Sequence, residues 1–257
     1  MNRVIIITGV TSGIGAKLKE LFLADGDIVI GLARSVEDSE FNYSLDVSNH
    51  EDVKNTFEKI GQKYPKVDML INSAGFGQFG AVELLTETEI KKQFDVNVFG
   101  LIWCNQSVLP LMNRGSKIIN ISSASAFFAL PFRSLYSASK AAVNQISFGL
   151  YMELKDAGIQ VTSICPGDIK TNFNKNRQAN LTTNSRYSDR IEKSFTHIQE
   201  RAEKRMSNDY ASKCIYNICN KKKLKPLYIV GKSYKFLNFC DHIFSKKAIL
   251  DVTNKRF

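Results

Sequence analysis

Short apolar runs, set between longer amphipathic stretches over the first 166 residues, constrain this chain more than any other feature. The runs are Val4–Thr8, Ile28–Ala33, Asn42–Asp46, Met69–Ser73, Lys117–Ser122 and Gln160–Cys165. Several are apolar on successive residues rather than on every second one, which is how strands covered on both faces of a parallel sheet read. Helix signals sit between them. Ser48 with Glu51, and Thr86 with Glu89, have the spacing of capping boxes, and Gly158 suits the end of a helix finishing near Asp156. The βαβα alternation predicts a doubly wound α/β fold, a parallel sheet with helices on both faces. One connection is short: eight residues separate Ala33 from Asn42. A parallel crossover normally takes a dozen or more, so the helix expected there is very short or absent.

After Pro166 the texture changes. Residues 172–190 are rich in Asn, Thr, Ser and Arg and read as a mobile loop, and Ile191, Phe195, Ile198 and Ala202 then recur at helical spacing. A last strand is expected at Leu227–Val230, followed by a helical pattern in Phe236, Phe239, Cys240, Ile243 and Phe244. No repeat or linker divides the chain. Residues 1–257 are therefore expected to form a single domain, with a lid at about 172–210 and a helical C-terminal extension at about 232–250.

Composition excludes several classes. With 44% hydrophobic residues the chain has no long stretch poor enough in apolar side chains to stay disordered. The net charge of +10 favours anionic partners, but Lys221, Lys222, Lys223 and Lys225 read most simply as a solvated basic face. No nucleic-acid motif accompanies the charge, so no nucleic-acid partner is expected. Five cysteines, an odd number without a C-x-x-C pair, and three scattered histidines suggest neither a disulfide framework nor a metal site. They point to a reducing compartment, the cytoplasm. The first apolar run is too short for a signal peptide, and no stretch approaches the roughly 20 apolar residues that span a bilayer.

Three sites carry chemistry. Thr8-Gly9-Val10-Thr11-Ser12-Gly13-Ile14-Gly15 lies between a buried strand and a helix. Glycines there permit a tight turn and let backbone approach a pyrophosphate, which free N–H groups and the helix dipole attract. The spacing is not the G-x-G-x-x-G fingerprint, and close strand–helix packing would also use such glycines. Tyr136 and Lys140 are four residues apart, on one helical face. A nearby ammonium favours the phenolate and makes a tyrosine usable as an acid or base near neutral pH. Ser123, with Ser122 a competing candidate, lies thirteen residues before Tyr136 at a strand end and could hydrogen-bond a substrate carbonyl.

Together these residues resemble the short-chain dehydrogenase/reductase family, in its branch of about this length. The family turn T-G-x-x-x-G-x-G is met by Thr8 to Gly15, including Gly9, Thr11, Ser12, Gly13 and Ile14. Its N-N-A-G element appears as Asn72-Ser73-Ala74-Gly75, with Ser73 the one departure. Its helix asparagine falls at Asn97, and its catalytic serine, tyrosine and lysine at Ser123, Tyr136 and Lys140. Pro166-Gly167 follows the sixth strand, with Ile169 among the implied cofactor contacts and Thr171 where the family meets the nicotinamide carboxamide. The resemblance implies a three-layer Rossmann-type fold of about seven strands. It also implies a mechanism. Tyr136 protonates a carbonyl oxygen as hydride reaches its carbon, and Ser123 holds that oxygen. Lys140 lowers the tyrosine pKa and binds the nicotinamide ribose, while Asn97 supports a water-linked proton relay.

Cofactor choice is read at the end of the second strand, where NAD-preferring relatives carry an acid for the ribose 2′-hydroxyl. Ala33 stands there and Arg34 follows, which suits a 2′-phosphate and favours NADP(H) over NAD(H). Asp46 and Val47 match the family's adenine contact, while the direction of Glu37 and Asp38 is left open. The segment Ala124–Phe132, with Phe79 and Phe173, is expected either to wall an apolar substrate pocket or to pack in the core. The basic, aromatic C-terminal end is closer to the hydroxysteroid and retinol dehydrogenase branch. It is expected to pack on the fold or a subunit, with attachment to an anionic membrane as the other use, and a homodimer is expected. The expected activity is NADP(H)-dependent interconversion of an alcohol and a carbonyl on a small apolar substrate. The alternative is a non-catalytic NADP(H)-binding redox sensor, which has no need of Asn97, Ser123, Tyr136 and Lys140 together.

Overall fold

The structure, a computed structural model, describes residues 2–170, 177–200 and 205–254. In chain order the first half runs β1 (Val4–Thr8), α1 (Gly13–Ala24), β2 (Ile28–Ala33), β3 (Asn42–Ser44), α2 (His50–Lys63), β4 (Val67–Asn72), β5 (Gln78–Phe79), α3 (Glu87–Phe94) and α4 (Gly100–Val108). There follow β6 (Met112–Ile121), α5 (Ser134–Glu153), β7 (Gln160–Pro166), β8 (Ile169–Lys170), β9 (Gln178–Ala179), α6 (Arg190–Glu200), β10 (Met206–Ser207), α7 (Asn208–Cys219), β11 (Leu227–Val230), α8 (Lys232–Ile243) and α9 (Lys246–Asn254). Seven strands form one parallel sheet in the order β11-β7-β6-β4-β1-β2-β3.

The successive apolar residues are explained by burial on both faces. Ile5, Ile6 and Ile7 are each 0% exposed, although neighbours along a strand point to opposite sides. Ile5, Ile7, Met69 and Ile71 pack with Leu18 and Phe22 of α1 and Ile215 and Ile218 of α7. Ile6, Ile30 and Leu70 pack with Val53, Phe57 and Ile60 of α2 and Cys104 and Val108 of α4. The result is the expected Rossmann-type, three-layer arrangement.

The short crossover holds no helix. Residues 34–41 form turns and extended chain, and the Asp38 carboxylate accepts the Ser44 N–H at 2.5 Å, so β3 pairs beside β2 with Gly31 opposite Asn42. Thr86 and Glu89 form the expected reciprocal capping box of α3. The expected box at Ser48 does not form. Asn49 caps α2, accepting from the Glu51 and Asp52 amides, while the Ser48 hydroxyl is spent on Asp46 at 2.6 Å. α6 falls where Ile191, Phe195 and Ile198 predicted it, whereas Ala202 lies outside the described residues. One helix was not anticipated: α7, capped by Ser207, whose hydroxyl accepts the Tyr210 amide. The C-terminal pattern divides into two helices, α8 and α9.

Candidate active site

A cavity of about 530 Å³ opens where the strands end at their C-termini, the place where open α/β sheets bind ligands. The turn after β1 contributes Gly9, Thr11, Ser12, Gly13 and Ile14 to its lining. β2 and β3 lead into Ala33, Arg34, Asp46 and Val47, and β4 into Ser73, Ala74 and Gly75. β6 ends in Ser122 and Ser123, α5 adds Tyr136 and Lys140, and β7 runs into Pro166, Gly167 and Ile169.

The glycine turn is held by short contacts to its neighbours. Gly9 has φ +76, and a Cβ there would stand 2.9 Å from Ala74 backbone. The Thr8 hydroxyl accepts the Ser73 and Ala74 amides, both at 3.0 Å, which fixes the Asn72–Gly75 segment beside the turn. Gly15 does not line the cavity. Its place is under the turn, where a Cβ would lie 2.3 Å from the Gly9 carbonyl oxygen. No side chain caps α1 and no acid occupies its first turn. Such a helix start presents open N–H groups to an anion, and the cradle therefore fits a dinucleotide pyrophosphate.

Asn72, expected among cofactor contacts, is placed elsewhere. It is 4% exposed, and its amide donates to Asn105 at 2.8 Å and Asn120 at 2.9 Å, which ties β4 to α4 and β6. Asn97 also stands outside the lining. It lies in a π-helical turn, Asp95–Phe99, a feature common at functional sites. Its side chain donates to the Phe76 carbonyl and the Ser139 hydroxyl and accepts the Phe76 amide. Its Oδ1 and the Lys140 Nζ both border Gly75. Thr171 and Phe173 lie outside the described residues.

The two serine candidates separate cleanly. The Ser122 hydroxyl donates to the Lys140 carbonyl at 2.9 Å, whereas Ser123 is hydrogen-bonded to the Tyr136 phenol. Tyr136 is 7% exposed, and burial pushes its pKa up. The Ser123 bond and the guanidiniums of Arg133 and Arg177 act in the other direction. Lys140 Nζ donates to the Ile121 carbonyl at 2.9 Å, and burial draws its pKa down to about 8.

Charged side chains join the lining near Tyr136. Arg133, Asp168 and Arg177 stand there; the sequence alone does not single them out. Tyr234 of α8 covers Gly167, where a Cβ would meet its ring at 2.0 Å, and its hydroxyl bonds to Asp168. The phenylalanines read as either pocket wall or core lie outside this lining where they are described. Phe79 and Phe132 form a buried cluster with Ile191, Phe195 and Ile198, and Phe127 and Phe128 face Ile249 and Leu250 of α9.

A family model described as short chain dehydrogenase matches residues 3–182, and the chain belongs to the short-chain dehydrogenase/reductase family. It is thus an oxidoreductase of a family that acts on CH–OH and carbonyl groups with a nicotinamide cofactor. It is 36% identical over 205 residues to a 3-ketodihydrosphingosine reductase of Bacteroides thetaiotaomicron, covering 77% of this chain and 76% of that one. An NADPH-dependent 3-dehydrocapnine reductase of Ornithobacterium rhinotracheale is 33% identical over 187 residues, 66% of each chain. The crystal structure of a short-chain dehydrogenase from Streptomyces avermitilis superposes with a TM-score of 0.84 at 28% identity, covering 99% of this chain and 96% of that one. Among the described residues no helix is long and apolar enough to cross a membrane, and no cluster of metal-binding side chains occurs.

Proposed function

We propose that the protein is an NADP(H)-dependent ketone reductase. The observation that carries this reading is the buried Tyr136 phenol, bonded to Ser123 and one helical turn from Lys140, at the mouth of the glycine-turn cavity. Bound NADPH would supply the hydride. Burial holds Tyr136 protonated at neutral pH, so it is charged with the proton that a reduced carbonyl needs. Ser123 positions the carbonyl oxygen against that phenol. Lys140 would offer its ammonium to the nicotinamide ribose, and Asn97 fixes the Phe76 backbone, which also lines the cavity.

Arg34 supports the choice of NADP(H). It lines the cavity at the end of β2, while Glu37 and Asp38 do not, and Asp38 is engaged by the Ser44 amide. The other carboxylate at that end, Asp46, already accepts from the amide and hydroxyl of Ser48. A guanidinium with no acid competing for the ribose suits a 2′-phosphate. Two relatives of similar sequence are reductases, and one is NADPH-dependent by name. In this reading residues of about 172–210 form the substrate lid, seated through α6 on Phe79 and Phe132.

The test is oxidation of NADPH and NADH against a panel of ketones, with Tyr136→Phe alongside. Turnover should require NADPH and fall about 10²- to 10⁴-fold in the variant, the usual share of an acid–base group, with NADPH binding retained. Tight NADPH binding without turnover of any ketone, unchanged in Tyr136→Phe, would establish a nucleotide sensor instead.

A further inference from the structure

Helix α8 is turned the opposite way from a helix that packs on a core. Its outer face carries Phe236, Phe239 and Ile243, which are 65%, 60% and 61% exposed among the described residues. Its inner face carries Tyr234, Asn238 and Asp241, all partly buried. A surface helix ordinarily puts its apolar stripe inward and its polar side in water. The expected packing on the fold therefore uses the polar side of α8 and leaves three large apolar side chains in one outward stripe. Phe244, 56% exposed, follows at the helix end. Exposed apolar residues scattered singly are ordinary, but a contiguous stripe of them marks a surface with a partner.

Charge selects the partner. Lys232 lies one turn before Phe236 on the outer face, with Lys235 beside it, and both are exposed. Lys246 and Lys247, also exposed, come shortly after Phe244. The one acid of α8, Asp241, is on the inner face, where its carboxylate pairs with Lys246 at 2.6 Å. The outer face is thus apolar and cationic, in a chain of net charge +10. A second copy docked there through its own α8 would add two more lysines and bring no acid from that face to meet them. An anionic bilayer meets both needs, because its headgroups take the lysines and its acyl boundary takes the rings. The 12 residues of α8 reach about 18 Å, short of the roughly 30 Å hydrocarbon core, so the helix would lie along such a surface rather than cross it.

We infer that the outer face of α8 seats the protein on an anionic lipid surface, with Phe236, Phe239 and Ile243 entering the acyl boundary and Lys232 and Lys235 meeting the headgroups. The inner face of the same helix holds Tyr234 over Gly167 of the cavity lining. A docked bilayer stands one helix diameter, about 10 Å, from the cavity. The seat does not depend on the reductase reading.

Flotation of the full-length protein with extruded vesicles tests it, using phosphatidylcholine alone and phosphatidylcholine with phosphatidylglycerol in equal parts. The protein should partition about 10-fold or more in favour of the anionic vesicles, and the preference should fade as salt rises. Phe236→Ser/Phe239→Ser and Lys232→Gln/Lys235→Gln should each weaken partitioning by about 10- to 100-fold. All four side chains are exposed, so both variants should melt with the wild type, which thermal denaturation checks. Equal partitioning onto both kinds of vesicle, or partitioning unchanged in either folded variant, would overturn the inference. A wild type that stays in solution with both kinds would overturn it too, and sedimentation velocity would then show whether Phe236→Ser/Phe239→Ser separates two copies joined through this face instead.

Discussion

Replacing Lys140 by methionine should make the protein more stable at neutral pH while abolishing its activity. Lys140 is 5% exposed, and among the described residues its only side-chain bond is to the Ile121 carbonyl. Burial lowers its pKa from 10.5 to about 8, so keeping the ammonium charged inside the fold costs about 3 kcal/mol at pH 7. Below pH 8 both folded and unfolded chains hold this proton, and the cost is present in full. Between pH 8 and 10.5 the folded chain loses the proton while the unfolded chain keeps it. The unfolded state then binds more protons, so stability rises with pH through that window as the penalty disappears. Lys140→Met removes the penalty and also the bond to Ile121, whose loss costs about 1 kcal/mol. The variant should therefore exceed the wild type by about 2 kcal/mol at pH 7 and fall about 1 kcal/mol below it above pH 10.5. Urea denaturation of both proteins at several pH values measures the difference. A variant less stable than the wild type at pH 7, or an offset that does not change with pH, would refute the reasoning. The expected result would mark Lys140 as a residue retained at the expense of stability, as functional sites commonly are.

Two further changes probe the cofactor end. Arg34→Leu should raise the KM for NADPH by about 10- to 100-fold through loss of the charged contact, with the KM for NADH little altered; parallel changes in both would show that Arg34 does not read the 2′-phosphate. Gly15→Ala should destabilise the fold by more than about 2 kcal/mol and abolish NADPH binding, because its Cβ meets backbone at 2.3 Å and no flexible side chain can give way. Thermal melting with and without NADPH checks it against Gly26→Ala, which meets open space and bears only the strain of φ +83.

The cofactor half of the site was legible in the sequence because each part is local. Consecutive isoleucines reveal a strand buried on both faces, and the glycines that follow must turn the chain against the strand beside them. Asn72 shows the limit of that logic. Its position in the N-S-A-G segment was readable, but its direction, towards Asn105 and Asn120, depends on a helix and a strand that the sequence places 33 and 48 residues further on. Ser48 failed for a smaller reason. Two neighbouring residues could each cap α2, and the competing bond from Ser48 to Asp46 decided for Asn49.

The substrate half was not legible, and its chemistry explains why. Arg133 comes from the approach to α5, Asp168 from the exit of β7, Arg177 from the residue before β9 and Tyr234 from α8. No periodicity or spacing links four residues that meet only after the sheet has set the ends of β6, β7 and β11 side by side. Phe79 and Phe132 read equally as pocket wall or as core, and the fold buries them in a cluster with Ile191 and Ile198. Once those rings are taken up, Arg133, Asp168 and Arg177 join the lining near Tyr136. A family turn thus announces the cofactor, while the residues around Tyr136 are brought together by contacts that only the folded chain assembles.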